Sequence, residues 1–158
     1  ECDASKRLQI HLLGECEYQP LAQHPQVVLH GPYERNEFVS RAQSIGAQIG
    51  AVLSVWDETW CHTLTELWAA GLPCFVLDFP TLKARVEASG AGWVLDPADP
   101  QSSYERMVNL APEDYAQKAL AVRAWQQGEG QAHSTAWMAQ QYIELYQSLL
   151  AQPGRELR

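Results

Sequence analysis

Glu58 and Glu66 stand eight positions apart in the run Asp57-Glu58-Thr59-Trp60-Cys61-His62-Thr63-Leu64-Thr65-Glu66-Leu67-Trp68-Ala69-Ala70-Gly71-Leu72-Pro73. Two carboxylates so placed can accept hydrogen bonds from hydroxyl groups at the two ends of an elongated ligand. Residues 59–70 contain neither glycine nor proline, and Gly71 with Pro73 beyond it is a stop signal, so the run predicts a helix beginning near Thr59. The first amides of such a helix have no intrahelical partner and its dipole presents partial positive charge, which suits an anion such as a diphosphate. Glu66 then lies about 12 Å along the axis from Glu58, at ~1.5 Å per residue. Carboxylates repel phosphate, so the partners read for this pair are neutral hydroxyls of ribose and sugar. The same side chains also allow a plainer reading, with Asp57 and Glu58 as a helix cap and Glu66 on a solvated face.

The elements that must hold these residues alternate along the chain. Short apolar runs predict strands over 7–13, 27–30, 47–55, 74–78 and 92–95, and a polar loop with a short helical turn over 14–25. Helices are predicted over 34–45, 59–70, 82–88, 101–110, 112–127 and 134–150, with Gly128-Glu129-Gly130 as a break. This alternation implies an α/β, Rossmann-like open parallel sheet with helices on both faces and right-handed crossovers, the C-terminal helices lying alongside. In such sheets ligands sit beyond the carboxyl ends of the strands, where Gly31, Glu58 and Asp78 all fall. The last helix carries Trp137, Met138, Ile143, Leu145, Tyr146, Leu149 and Leu150 on a broad apolar face, read as core. One domain is expected over 1–151, with a frayed tail over 152–158.

Composition bounds the function. The 158 residues are 46% hydrophobic, enough for one compact unit with a real core. A net charge of −8, with 11 Lys and Arg against 19 Asp and Glu, argues against nucleic acid or an anionic membrane as the main partner. Cys2, Cys16, Cys61 and Cys74 show no C-x2-C pairing and no His at zinc-ligand spacing, so they read as free thiols of a reducing cytoplasm. No Asp-x-Asp occurs, and no metal is expected. No secretory leader is visible, and no apolar run approaches the ~18–20 residues that span a bilayer. His62 falls inside the predicted anion site; His11, His24, His30 and His133 belong to no constellation. Trp60 and Trp68 flank the motif and either can pack on a nucleobase, although a helix face against the sheet explains Trp68 better; Trp56, just before Asp57 and Glu58, is open to both readings.

The acidic pair, followed by a small-residue helix end and G-x-P, resembles the E-x7-E donor-binding signature of the group 1, retaining, GT-B-fold glycosyltransferases. The resemblance continues in Val27-Val28-Leu29-His30-Gly31, in Pro73-Cys74-Phe75-Val76-Leu77-Asp78, in Ala91-Gly92-Trp93-Val94-Leu95-Asp96-Pro97 and in the closing helix Tyr142-Ile143-Glu144-Leu145-Tyr146-Gln147-Ser148-Leu149-Leu150. It covers residues 7–150 in the family's order. What it implies is half of a GT-B fold that binds a nucleoside diphosphate sugar and transfers a hexose to an acceptor in glycan biosynthesis, with no metal or cofactor. By that likeness Glu58 contacts the donor sugar and is the catalytic residue, amides at Cys61, His62 and Thr63 hold the diphosphate, Glu66 accepts the ribose hydroxyls and Gly31 borders the cleft. Three departures stand out: Cys61 replaces a glycine, Phe79-Pro80-Thr81 replaces a Gly-Gly pair, and Ala84 stands where an acidic residue is usual. The family's strand and helix with a G-R…K-G pair precede the matching region; Lys6 and Arg7 do not occupy those positions. The acceptor-binding half is likewise absent, so the domain is expected to have no turnover alone.

Rivals from other classes are a domain kept for nucleotide-sugar binding or interaction after chemistry was lost, and a phospho-accepting receiver with Asp57 at a strand end. The receiver also needs an acidic pair, which Glu15 and Glu17 mimic, and a lysine after its fifth strand, which residues 93–97 do not offer. A sugar epimerase of similar fold is the competitor among enzymes.

Overall fold

A computed structural model describes residues 8–132 and 134–151 of the chain. The predicted strand start at Arg7, the cations Lys6 and Arg7, Cys2, His133 and the tail lie outside the described residues. Strands β1 (Ile10–Leu12), β2 (Val27–Leu29), β3 (Gly50–Val52), β4 (Cys74–Leu77) and β5 (Gly92–Leu95) alternate with helices α1 (Gln19–Ala22), α2 (Phe38–Ile45), α3 (His62–Ala69) and α4 (Pro80–Ser89). A 3-10 turn, Arg35–Glu37, leads into α2. Helices α5 (Pro100–Val108), α6 (Pro112–Gln127), α7 (Glu129–Ala132) and α8 (Thr135–Leu150) follow.

The architecture is α/β with parallel pairing between the named strands and one isolated antiparallel bridge, Gly14–Gly31; among the described residues the strands form two small sheets, β1–β2 and β3–β4–β5, where the sequence predicts one open sheet. In the first, Ile10 lies opposite Val27 and Leu12 opposite Leu29. In the second, Gly50 and Val52 face Cys74 and Val76, and Leu77 faces Leu95. Gly92 meets β4 so closely that a Cβ there would collide with the Cys74 carbonyl oxygen.

The three-stranded sheet is covered on both faces, as parallel sheets require. Cys74 and Val76 share one cluster with Leu64 and Trp68 of α3, Leu82 and Val86 of α4, and Val122 and Trp125 of α6. The alternate residues Phe75, Trp93 and Leu95 form another cluster with Met107, Leu110 and Tyr115. Each such side chain contributes about 1.5–3 kcal/mol on burial. Two of the core indoles are matched: Trp68 Nε1 donates to the Ala91 carbonyl at 2.9 Å and Trp93 Nε1 to Asp114 Oδ2 at 2.8 Å.

The end of α3 follows the stop signal read from Gly71 and Pro73. Gly71 adopts φ +91°, its amide donates to Trp68 O at 3.0 Å and the Leu72 amide to Leu67 O at 3.0 Å. That is a Schellman closure, which needs a residue free to take positive φ. Gln126 of α6 donates to the last carbonyls, those of Trp68 and Ala69.

Three expectations change. The run over 47–55 pairs only at Gly50–Val52; Leu53, Val55 and Trp56 are exposed, because an apolar stretch becomes a strand only where a neighbour completes its ladder. The motif helix begins at His62 rather than near Thr59, so Glu58 lies in the loop before it and the 12 Å axial spacing does not apply. The apolar face of α8 is not core: Trp137, Met138, Tyr142, Ile143, Leu145, Tyr146, Leu149 and Leu150 are 46% to 87% exposed. Apolar periodicity reports that a helix has a face to bury; it carries no information on what covers that face. No helix among the described residues is long and apolar enough to cross a membrane.

Candidate functional site

Glu58 precedes α3 and Glu66 lies within it. Glu58 sits in the loop after β3, half-buried, where Ser54 Oγ donates to its Oε1 at 2.6 Å. Glu66 lies on the second turn of α3, and Arg35 Nε, from the turn beyond β2, donates to its Oε1 at 2.9 Å. The Arg35 side chain is 72% exposed and that of Glu66 21%. Because helical side chains lean toward the N-terminus, the Glu66 carboxylate is inclined toward the head of α3. Among the described residues no hydrogen bond joins Glu58 to Glu66, or Gly31 to either. Gly31 closes the ends of β1 and β2 instead, its carbonyl accepting from the Gly14 amide at 2.9 Å.

Between the carboxylates the backbone takes an unusual course. Cys61 has φ 63° and ψ 87°, and among the described residues it is the one non-glycine with positive φ. A Cβ in that region costs roughly 1–2 kcal/mol. The resemblance places a glycine here, and the expectation of ordinary helical angles at Cys61 is corrected: the conformation is the one for which glycine is suited.

Neither helix-cap assignment of the acidic residues holds. α3 has no side-chain cap hydrogen bond and no acidic residue in its first turn. Asp57 Oδ1 accepts from the Thr81 amide at 3.1 Å, at the head of α4. His62 and Thr63, exposed at the head of α3, thus carry amides without intrahelical acceptors.

Arg85 of α4, which the sequence reading passed over, braces this turn from behind. Its Nη1 donates to the carbonyls of Trp60 and Cys61, the latter at 2.9 Å, and its Nη2 to Thr65 Oγ1 at 2.8 Å. The guanidinium carbon lies 4.2 Å from the Trp60 ring centre and 5.3 Å from that of Trp68. Burial lowers the Arg85 pKa, opposed by Cys61 once ionised and by Glu129. The Cys61 side chain beside it is only 5% exposed. Burial pushes its thiol up, the Leu64 amide opposes the rise, and Glu58 adds to it. Burial raises the Cys74 thiol further. Both are therefore inert thiols at neutral pH rather than nucleophiles.

The other functional candidates missed were Arg35 and Ser54. Arg35 was detectable as a cation four residues beyond a strand-ending glycine. Ser54 offered only its place near the end of an apolar run.

A cavity of about 400 Å³ opens near the carboxyl ends of β4 and β5, lined by residues including Asp78, Lys83, Asp96, Ser102 and Arg106. None of Gly31, Glu58, Cys61, His62, Thr63 and Glu66 lines it. Its Asp78 and Lys83 pair with each other at 2.8 Å, whereas the α3 entrance has amides without acceptors; the entrance is the stronger candidate. Among the described residues no group of three or more His, Cys, Asp or Glu side chains could hold a metal ion. No protein-family model matches the chain, and no significant match to a curated protein was found.

Proposed function

We propose that the domain binds the nucleoside diphosphate part of a sugar donor at the head of α3 and is the donor half of a Rossmann-like, GT-B, retaining glycosyltransferase. The observation that carries this reading is the left-handed backbone of Cys61 at the position where the resemblance has glycine. A chain that keeps a glycine conformation under a side chain bears a local cost, and such cost is borne where a particular backbone direction is needed. The uncapped amides of His62 and Thr63 take the diphosphate, Glu66 the ribose hydroxyls and Glu58 the sugar, with Gly31 bordering the cleft. Arg35, one guanidinium nitrogen of which already meets Glu66, supplies positive charge to the departing diphosphate. Rate then comes from orienting the donor and stabilising the leaving group, with the acceptor held by a separate N-terminal half of the enzyme in the cytoplasm.

Calorimetric titration with several nucleoside diphosphates and their sugar conjugates tests this reading. Weak binding of at least one, with no transfer or turnover by this domain alone, is the expected result; no heat from any of them at millimolar concentration overturns it. A second reading, binding without chemistry, is favoured by one contact: Asp57 already occupies the Thr81 amide in the segment that replaces the family's Gly-Gly pair. Transfer by the domain joined to an acceptor-binding half separates the two.

A further inference from the structure

Arg85 reaches three acceptors on both sides of the strained residue: the carbonyls of Trp60 and Cys61 before α3, and Thr65 Oγ1 within it. Its own helix is anchored, because Leu82 and Val86 on either side of it are in the core. The Trp60 and Trp68 rings near the guanidinium restrict its swing. A planar fork can meet three acceptors at once; an ammonium on a flexible stem cannot hold the same set.

We propose that Arg85 is a positioning residue that holds the Trp60–Cys61 turn in its left-handed course and thereby fixes the direction in which α3 presents its first amides. Without the guanidinium, residue 61 relaxes toward negative φ and the turn opens. The consequence for a diphosphate rests on the donor-site reading above, but the geometry of the turn does not.

Cys61 reports on the turn directly, since its buried sulfur becomes accessible when the turn opens. The test compares wild type, Arg85→Lys and Arg85→Gln in the full chain by alkylation with iodoacetamide, scored cysteine by cysteine by mass spectrometry. Labelling of Cys61 should accelerate about tenfold or more in both variants, the factor that matches one decade in an opening equilibrium. Cys74, fully buried in the sheet, should keep its wild-type rate, and partly exposed Cys16 serves as the reactive control. A parallel rise at Cys61 and Cys74 would mean general loosening and would overturn the proposal, as would unchanged Cys61 labelling. If Arg85→Lys does not fold, adding Cys61→Gly should restore folding, because glycine holds the turn unaided; failure to restore it also overturns the proposal. Nucleoside diphosphate binding is measured on the same proteins. Absence of binding by wild type removes the donor reading and leaves the labelling to decide on Arg85. Equal binding and equal labelling in wild type and Arg85→Lys remove Arg85 and leave the donor reading standing.

Discussion

The β3–β4–β5 half of the molecule and the parts flanking it are packed very differently. Around β4, α3, α4 and α6 contribute completely buried Leu64, Leu82 and Val122, and a Trp on each of α3 and β5 is nearly sealed. By contrast, β1, β2 and α8 contain no buried residue, and Ile10, Leu29 and most of the α8 apolar face meet solvent. The contrast teaches that one sheet has both of its layers among the described residues, while the β1–β2 pair and α8 present apolar surface without them. The candidate site lies on the boundary. Glu58, Cys61 and Arg85 belong to the dense half, Gly31 and Arg35 to the sparse one, and the Arg35–Glu66 ion pair links them.

The sharpest way to break this comparison is to truncate one large side chain in each half. Trp68→Ala should cost about 3–5 kcal/mol, because a void opens between α3, α4 and α6 and the Ala91 carbonyl loses one of its two donors. Leu149→Ala on α8 should stay within about 0.5 kcal/mol. Urea denaturation measures both, and equal losses would mean that α8 is covered in solution.

Next in size is the link across the boundary. Glu66→Ala should weaken nucleoside diphosphate binding by about tenfold, the loss of charge-assisted hydrogen bonds to ribose, with little change in unfolding midpoint. Calorimetry on wild type and variant checks it; unchanged affinity removes Glu66 from the site.

Smaller still is the effect of relieving the turn. Cys61→Gly should be more stable than Cys61→Ala by roughly 0.5 kcal/mol, since relief of about 1–2 kcal/mol of backbone strain exceeds the entropic cost of glycine, about 0.4–1 kcal/mol. The reverse order, the usual one for these two residues, would show that position 61 is unstrained.

The slightest effect is with pH. Burial holds the Cys61 and Cys74 thiols above their ordinary value of 9.0 in the folded chain, so above that pH the unfolded chain releases protons that the folded one keeps. Their contribution to stability is complete below 9.0 and declines as pH rises beyond it toward the folded values. Unfolding midpoints measured from neutral pH to about pH 10 should fall, and less steeply in Cys61→Ala; identical slopes would contradict the burial of that thiol.

Much of the dense half was legible because local signals and packing agree there. Helix α6 has the predicted bounds Pro112–Gln127, β5 those of 92–95, and Gly71 ends α3 as its stop signal required. The site was legible by residue type but not by geometry. Nothing in the order Trp60-Cys61-His62 announces a left-handed cysteine, since that conformation depends on Arg85, twenty-four residues away in sequence. Asp57 illustrates the same point, for a first-turn carboxylate by sequence became the acceptor for a different helix. The α8 face was read as core because periodicity measures what a helix needs to bury, and coverage is a property of the rest of the fold.

Amide chemical-shift mapping with a saturating nucleoside diphosphate shows whether the head of α3 receives a diphosphate. The largest shifts are expected at His62, Thr63 and Leu64 and at the Arg35 Nε–H, with α8 silent. Shifts centred instead on the cavity at Asp78, Ser102 and Arg106, or no shifts at all, would contradict it.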